Sequence, residues 1–251
     1  MTTARRAPAS LSSRGTWWKP WRAVFVGFAL AFLTGMAAAA IARSFGQWNR
    51  GFEWERALLV RLHTPLPGAA DELVLGLTWF GTNISLIPAV AILCGWLWVK
   101  CKRPDAAAQL AVVQIGSYLL NPSLKMLTDR QRPTMFVRRG WYAWSSFPSG
   151  HAIAGVSVLV TVMILLYRVR GWRWPAYVLA PIALASLYSR LYLGVHWPTD
   201  VLAGLAVGTV WLAVTMYAFR DRRSALGQER RQASGVDVAA ADDGGDAVSI
   251  S

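Results

Sequence analysis

Apolar positions along the chain fall in long unbroken runs, not in the alternation of a half-buried strand or the narrow stripe of a soluble helix. Uncharged or nearly uncharged stretches occupy about residues 23–42, 73–99, 106–124, 152–167, 175–189 and 199–219. Most approach the roughly 20 residues that a helix needs to cross about 30 Å of hydrocarbon. The runs at 152–167 and 175–189 are shorter and need their flanks to reach that length. The pattern predicts an all-α polytopic membrane protein of six transmembrane helices over residues 21–219. Residues 1–20 and 220–251 are polar, rich in Ala, Gly and Ser, and aperiodic. They are predicted to be disordered tails.

The first run follows Arg5 and Arg6 and ends in "MAAAAIA", small residues that would suit a secretory cleavage site. It is long for the apolar core of a signal and is read as a membrane anchor. Between the first two runs, "QWNRGFEWERALLVRLHTPLPGAADE" is expected to contain an interfacial helix with Trp54, Leu58, Leu59 and Leu62 on its apolar side and Arg56 and Arg61 elsewhere. His63 beyond it reads as a surface histidine near a turn. Gly204 and Gly208 form a G-x-x-x-G in the last run, a pattern for close helix packing.

Composition agrees with a bilayer: 55% of the 251 residues are hydrophobic, 16% are charged, and 14 are Trp. The net charge of +13 is dispersed between apolar runs and not gathered on one soluble face, which argues against a nucleic-acid partner. With six spans, one side of the membrane receives 16 of the 26 Lys and Arg. The positive-inside rule then predicts cytoplasmic termini. The short, Ala- and Arg-rich chain suggests a bacterial inner membrane. Cys94 and Cys101 have no companion motif and read as ordinary thiols.

Three polar clusters interrupt the runs: "KMLTDRQRP" from Lys125, "PSGH" from Pro148, and "SRLYLGVHWPTD" from Ser189. Because successive spans alternate in direction, all three reach the same end of the predicted bundle, on the extracytoplasmic side. Ionised groups at bilayer depth are expensive, so Lys125, Arg132, Arg190, His151, His196 and Asp200 imply function. Three permanent cations against one carboxylate lack an anion, and a phosphate dianion would supply it. Ser149 suits the N-cap of the fourth run, and Gly150 would allow a ligand close to the backbone. First-turn amides there favour an anion. Pro198 suits the first turn of the last helix, placing Asp200 beside His196, where a carboxylate can fix an imidazole tautomer.

Lys125 with six residues before Arg132-Pro133, then Pro148-Ser149-Gly150-His151, then Ser189-Arg190 with five residues before His196 and three more before Asp200, resembles the three-part signature of the type-2 phosphatidic acid phosphatase family. The likeness of the signature covers residues 125–200, and the family's six-helix layout is similar to residues 23–219. It implies a membrane lipid phosphatase that needs no metal or cofactor. In that scheme His196 attacks phosphorus and forms a phosphohistidine, Asp200 orients it, and His151 protonates the leaving oxygen. Lys125, Arg132, Ser149, Gly150 and Arg190 hold the phosphoryl oxygens. Asp129 and Arg130, inside the first cluster but off the signature, read either as residues packed behind the phosphate-holding ones or as surface residues. Soluble vanadium-dependent haloperoxidases share the constellation, but the six apolar runs argue against them. A non-enzymatic lipid transporter or lipid-binding protein would also place charges in the membrane, though no repeat symmetry supports it. The substrate stays open among undecaprenyl diphosphate, phosphatidylglycerol phosphate and phosphatidic acid. In the loop "TMFVRRGWYAWSSF", Trp141, Tyr142 and Trp144 suit the membrane interface. Arg138 and Arg139 are candidates either for anionic headgroups or for the second phosphate of an isoprenoid diphosphate.

Overall fold

The computed structural model describes residues 19–63, 68–137 and 144–220, and every regular element among them is helical. The elements are α1 (Lys19–Ser44), α2 (Glu53–Leu62), α3 (Gly68–Thr78), a 3₁₀ turn (Trp79–Gly81), α4 (Asn83–Val99) and α5 (Pro104–Thr128). After a long loop come α6 (Gly150–Ala154), a π-helical turn (Gly155–Leu159), α7 (Val160–Arg170), α8 (Trp174–Tyr192) and α9 (Pro198–Ala218). The predicted tails lie outside the described residues, apart from Lys19, Pro20 and Arg220.

Each of the six apolar runs is helical. Three helical stretches, Trp21–Ser44, Gly150–Arg170 and Pro198–Ala218, are long and apolar enough to cross a membrane. Gly68–Gly81 and Asn83–Val99, bent by 53° at their junction, make a fourth if they form one broken span. Helices α5 and α8 fall outside that group because they carry polar residues into the bundle. Gln109, Gln114, Ser117 and Lys125 are buried on α5, and Ser186, Ser189 and Arg190 on α8. Chain punctuation follows residue chemistry: proline occupies the first turn of α5, α8 and α9, where its missing N–H has no helical partner to lose. Helix α7 stops at Gly171 in the left-handed conformation.

The core is a seam of Leu110, Val113, Leu120, Leu124, Ile153, Val158, Val207 and Trp211 from α5, α6, the π turn and α9. The Trp211 indole donates to the Val113 carbonyl at 3.0 Å, so the largest buried side chain brings its polar atom a partner. Close packing occurs where the G-x-x-x-G predicts it. A Cβ on Gly204 would stand 2.6 Å from the Ser149 carbonyl oxygen, and one on Gly208 2.8 Å from that of Ile153. These two glycines thus bring the backbone of α6 onto α9. On helix α2 the residues buried in the protein are Glu55 and Leu59, and Trp54 is exposed. His63 is half-buried, its Nδ1 2.6 Å from the Tyr192 carbonyl and its ring against Phe136. Cys94 and Cys101 are free thiols, each half-buried.

The α6–α9 contact sets a stability test. Gly208→Val should destabilise the protein by about 1–3 kcal/mol, the ordinary cost of overpacking, because the opposing atom is backbone. Gly76→Ala, where a Cβ meets nothing within 4 Å, should shift stability by no more than about 0.5 kcal/mol. Thermal unfolding midpoints in detergent distinguish the two.

Candidate active site

The three polar clusters meet at one end of the helices. Lys125 and Thr128 come from the last turn of α5, Arg130 and Arg132 from the segment after it, His151 from the first turn of α6, Arg190 from the last turns of α8, and Asp200 from the first turn of α9. His196 lies in the short link between α8 and α9. Main-chain bonds hold these segments in register. The Ser149 N–H donates to the Asp200 carbonyl at 3.0 Å, and the Ser146 N–H to the Arg130 carbonyl at 2.8 Å. Thr128 Oγ1 donates to the Phe147 carbonyl at 3.0 Å, just ahead of the cis Phe147–Pro148 bond.

All three signature cations are buried, and carbonyls and hydroxyls solvate them. Lys125 Nζ donates to the carbonyls of Ser145 at 2.8 Å and Ser146 at 3.2 Å. Arg132 donates to the carbonyls of Val195 at 2.5 Å and Ser145 at 3.1 Å. Arg190 reaches Ser189 Oγ at 3.1 Å and also Thr78 Oγ1. These carbonyl and hydroxyl acceptors fix the direction of the donors, and three cations gathered at one place favour an oxyanion there. Ser149 sits at the N-cap of α6, but its hydroxyl makes no capping bond and is buried without a partner. A buried hydroxyl in that state is costly unless a ligand completes it. A Cβ on Gly150 would stand 2.7 Å from Asn121 Nδ2, so its smallness also serves packing against α5.

The two histidines are oriented differently. His151 Nε2 lies 3.1 Å from the Thr78 carbonyl, which requires the proton on that nitrogen. His196 Nδ1 lies 3.5 Å from Asp200 Oδ2 and its Nε2 3.4 Å from Arg132 Nη1. The carboxylate side thus favours N–H at Nδ1, and Nε2 turns its lone pair toward the cations. Burial, reinforced by Arg132, Lys125 and Arg190, holds the His196 imidazole well below its ordinary pKa, so the ring is neutral. A neutral imidazole amid cations that gather an oxyanion can attack a tetrahedral phosphorus without first losing a proton.

Asp200 is itself gripped. Its Oδ2 accepts the Trp197 N–H at 2.8 Å, and its Oδ1 accepts from Arg130 Nη1 at 2.6 Å. Of the two readings of Arg130 and Asp129, Arg130 takes the one behind the site, fully buried against Asp200, and Asp129 the one at the surface, exposed and closing α5 in the left-handed conformation. Glu55 was not among the residues expected here, because an acidic residue on an amphipathic helix reads as part of its wet face. Yet Glu55 Oε2 accepts from Arg130 Nη2 at 3.0 Å. Thr78 was missed as well, since an uncharged residue inside an apolar run gives no signal. Arg138, Arg139, Trp141 and Tyr142 lie outside the described residues, while Trp144 is exposed.

Residues 106–224 match the PAP2 superfamily. Phosphatidylglycerophosphatase B of Bacillus subtilis is 32% identical over 143 residues, 55% of this chain and 70% of that protein. The undecaprenyl-diphosphatase of Sulfolobus acidocaldarius is 28% identical over 173 residues, 67% of this chain and 78% of that one. YbjG of Escherichia coli, 29% identical over 133 residues, is matched over 63% of its length and 51% of this chain. The crystal structure of a transmembrane PAP2-type phosphatidylglycerolphosphate phosphatase from Bacillus subtilis superposes with a TM-score of 0.64 at 25% identity, covering 82% of this chain and 97% of that one. Sequence, helical layout and the meeting of the three clusters agree: the chain belongs to the PAP2 superfamily of membrane lipid phosphatases.

Proposed function

We propose that this protein hydrolyses the phosphate of a membrane lipid through a phosphohistidine. The observation that carries the reading is the His196 ring, neutral, with Asp200 behind Nδ1 and Arg132 before Nε2. In the first step Nε2 of His196 forms a bond to phosphorus as the bond to the leaving oxygen breaks, and His151, which enters the step as an imidazolium, gives that oxygen its Nδ1 proton and is left neutral with Nε2–H on the Thr78 carbonyl. Water then attacks the phosphohistidine, His151 takes its proton, and inorganic phosphate leaves with His196 restored. Lys125, Arg132 and Arg190 stabilise the charge spread over the equatorial oxygens, with the Ser149 hydroxyl and the first-turn amides of α6 as further donors. Cations thereby occupy the electrostatic role that a metal ion fills elsewhere.

The fuller architecture is part of the same proposal: six spans, with α3 and α4 forming one broken span, both termini cytoplasmic in a bacterial inner membrane, and the site at the extracytoplasmic end. It rests on six apolar runs and on the bias of Lys and Arg to one side. For the substrate we favour undecaprenyl diphosphate, with phosphatidylglycerol phosphate and phosphatidic acid as alternatives. Arg138 and Arg139 exceed what one phosphate needs, and a second phosphate would use one of them. The Sulfolobus relative's name fits that choice and the Bacillus relative's fits the first alternative.

Three outcomes test these statements. In a chelator-containing buffer, the wild type should release phosphate, His196→Ala should release none, and His151→Ala should lose roughly 10²- to 10⁴-fold on lipid phosphates. An aryl phosphate, whose leaving group needs no proton, should recover much of the His151→Ala loss; activity that needs added magnesium would overturn the mechanism. For orientation, single cysteines at Gly140 and Gly171, in a background lacking Cys94 and Cys101, should respectively react and not react with an impermeant thiol reagent applied to cells from outside. For the substrate, Arg138→Ala or Arg139→Ala should cost about 10- to 100-fold on a diphosphate lipid in neutral detergent and spare a monophosphate of matched tail. Parallel losses would make these arginines interfacial anchors.

A further inference from the structure

Behind His196, on the side away from Lys125, Arg132 and Arg190, a chain of charged groups runs from Asp200 of the signature to two residues outside it. Asp200 Oδ1 accepts from Arg130 Nη1 at 2.6 Å, and Arg130 Nη2 donates to Glu55 Oε2 at 3.0 Å. All three side chains are completely buried. The remaining polar atoms are matched to partners. Arg130 Nε donates to the Trp48 carbonyl at 2.8 Å and Nη1 also to Thr199 Oγ1 at 2.6 Å, while its plane lies over the Trp48 ring, 4.7 Å from the centroid. Glu55 accepts from the Phe52 N–H at 2.9 Å through Oε2, and through Oε1 from the Thr199 N–H at 3.0 Å and hydroxyl at 2.5 Å.

Two carboxylates share one guanidinium, so the group carries one net negative charge. That charge does not match the needs of a static clamp. An Arg130–Asp200 pair alone would be neutral, and the guanidinium would draw the carboxylate's electron density away from the imidazole. Glu55 draws on Arg130 from the opposite side, which leaves Asp200 with charge to offer Nδ1. The need for it grows along the reaction: His196 starts neutral and becomes positively charged when Nε2 bonds to phosphorus, among three cations that disfavour a fourth.

We infer that Glu55 and Arg130 are positioning residues for His196: through Asp200 they fix its ring and supply the compensating charge of the phosphorylated imidazolium. The inference rests on the phosphatase reading and deepens it. Helix α2, which packs at the end of the bundle and sends Glu55 into the site, thereby becomes part of the catalytic device.

The test is steady-state kinetics of the full-length protein in neutral detergent on a lipid phosphate, with wild type, Glu55→Gln, Glu55→Asp and His196→Ala side by side. Inorganic phosphate as competitive inhibitor reports the cation cluster, and orthovanadate, which takes the five-coordinate geometry at Nε2, reports the histidine. Glu55→Gln should lower kcat about 10- to 100-fold, the usual loss when an outer partner of a working histidine is removed. Its vanadate inhibition should weaken in step, while KM and phosphate inhibition stay within about twofold. Glu55→Asp, which keeps the charge, should recover part of kcat and of vanadate inhibition. A clamp without electrostatic function would move KM, phosphate inhibition and thermal midpoint together with kcat, and that result overturns the inference. So does a Glu55→Gln enzyme with wild-type kcat while His196→Ala is inactive. A wild type that releases no phosphate, or a His196→Ala that still turns over, overturns the phosphatase reading and this inference with it. Should Glu55→Gln fail to accumulate in membranes, Glu55→Asp decides by the same comparison: lowered kcat and weakened vanadate inhibition with unchanged KM support the inference, and wild-type values of both overturn it.

Discussion

The arrangement of this molecule depends on the burial of one guanidinium. Arg130 cannot be deprotonated and lies wholly out of water, so every segment around it is constrained to bring it acceptors. Glu55 arrives from α2, the Trp48 carbonyl from the link that follows α1, and Thr199 and Asp200 from the first turn of α9. Removing one partner from a buried ion pair costs about 3–5 kcal/mol, because the other charge is then stranded. The penalty makes the local structure close to all-or-none. Segments far apart in sequence must be placed together or the arginine cannot be buried at all.

That constraint carries forward to the chemistry. Asp200 receives its orientation from Arg130 and from the Trp197 N–H, and a carboxylate held at both oxygens presents a fixed edge to His196 Nδ1. On the far side of the ring, carbonyls and hydroxyls orient Lys125, Arg132 and Arg190. The imidazole therefore lies across a steep change in electrostatic potential, negative behind and positive ahead. A nucleophile that gains positive charge while the oxygens ahead of it hold negative charge is favoured by both halves of that field. Water is a poor substitute for such a fixed field, because its dipoles would have to reorganise during the reaction.

The remaining architecture places these groups at one end of a set of apolar helices. Long apolar helices expose Phe25, Leu33, Ile84, Ile92 and Leu202 on their outer faces, as lipid contact demands, and polar residues concentrate at one end of the bundle. The glycines of α9 let α6 approach until the backbone of Ser149 bonds that of Asp200. This one approach joins the start of α6 to the start of α9, so a packing motif in the apolar region sets the distance between groups at its polar end.

Much of this was legible in the sequence, for reasons that differ by residue. Apolar runs long enough to cross a bilayer gave the helices, and the G-x-x-x-G gave the closest helix contact, because both are local patterns with direct physical meaning. The alternation of helix direction was enough to bring Lys125, Arg132, His151, Arg190, His196 and Asp200 to one end, since each stands at the terminus of an apolar run. Arg130 was legible only as an alternative, behind the site or at the surface, and Glu55 was not legible at all. Glu55 lies 75 residues from Arg130 in sequence, and in its own helix it looks like any acid on a wet face. The packing of Gly150 was not legible either, because only the placement of α5 puts Asn121 against it. The sequence by itself determined which residues are too costly to bury without a purpose, since that cost belongs to the side chain. Which partner relieves the cost was decided only by the tertiary structure, because pairing depends on distances that local pattern does not set.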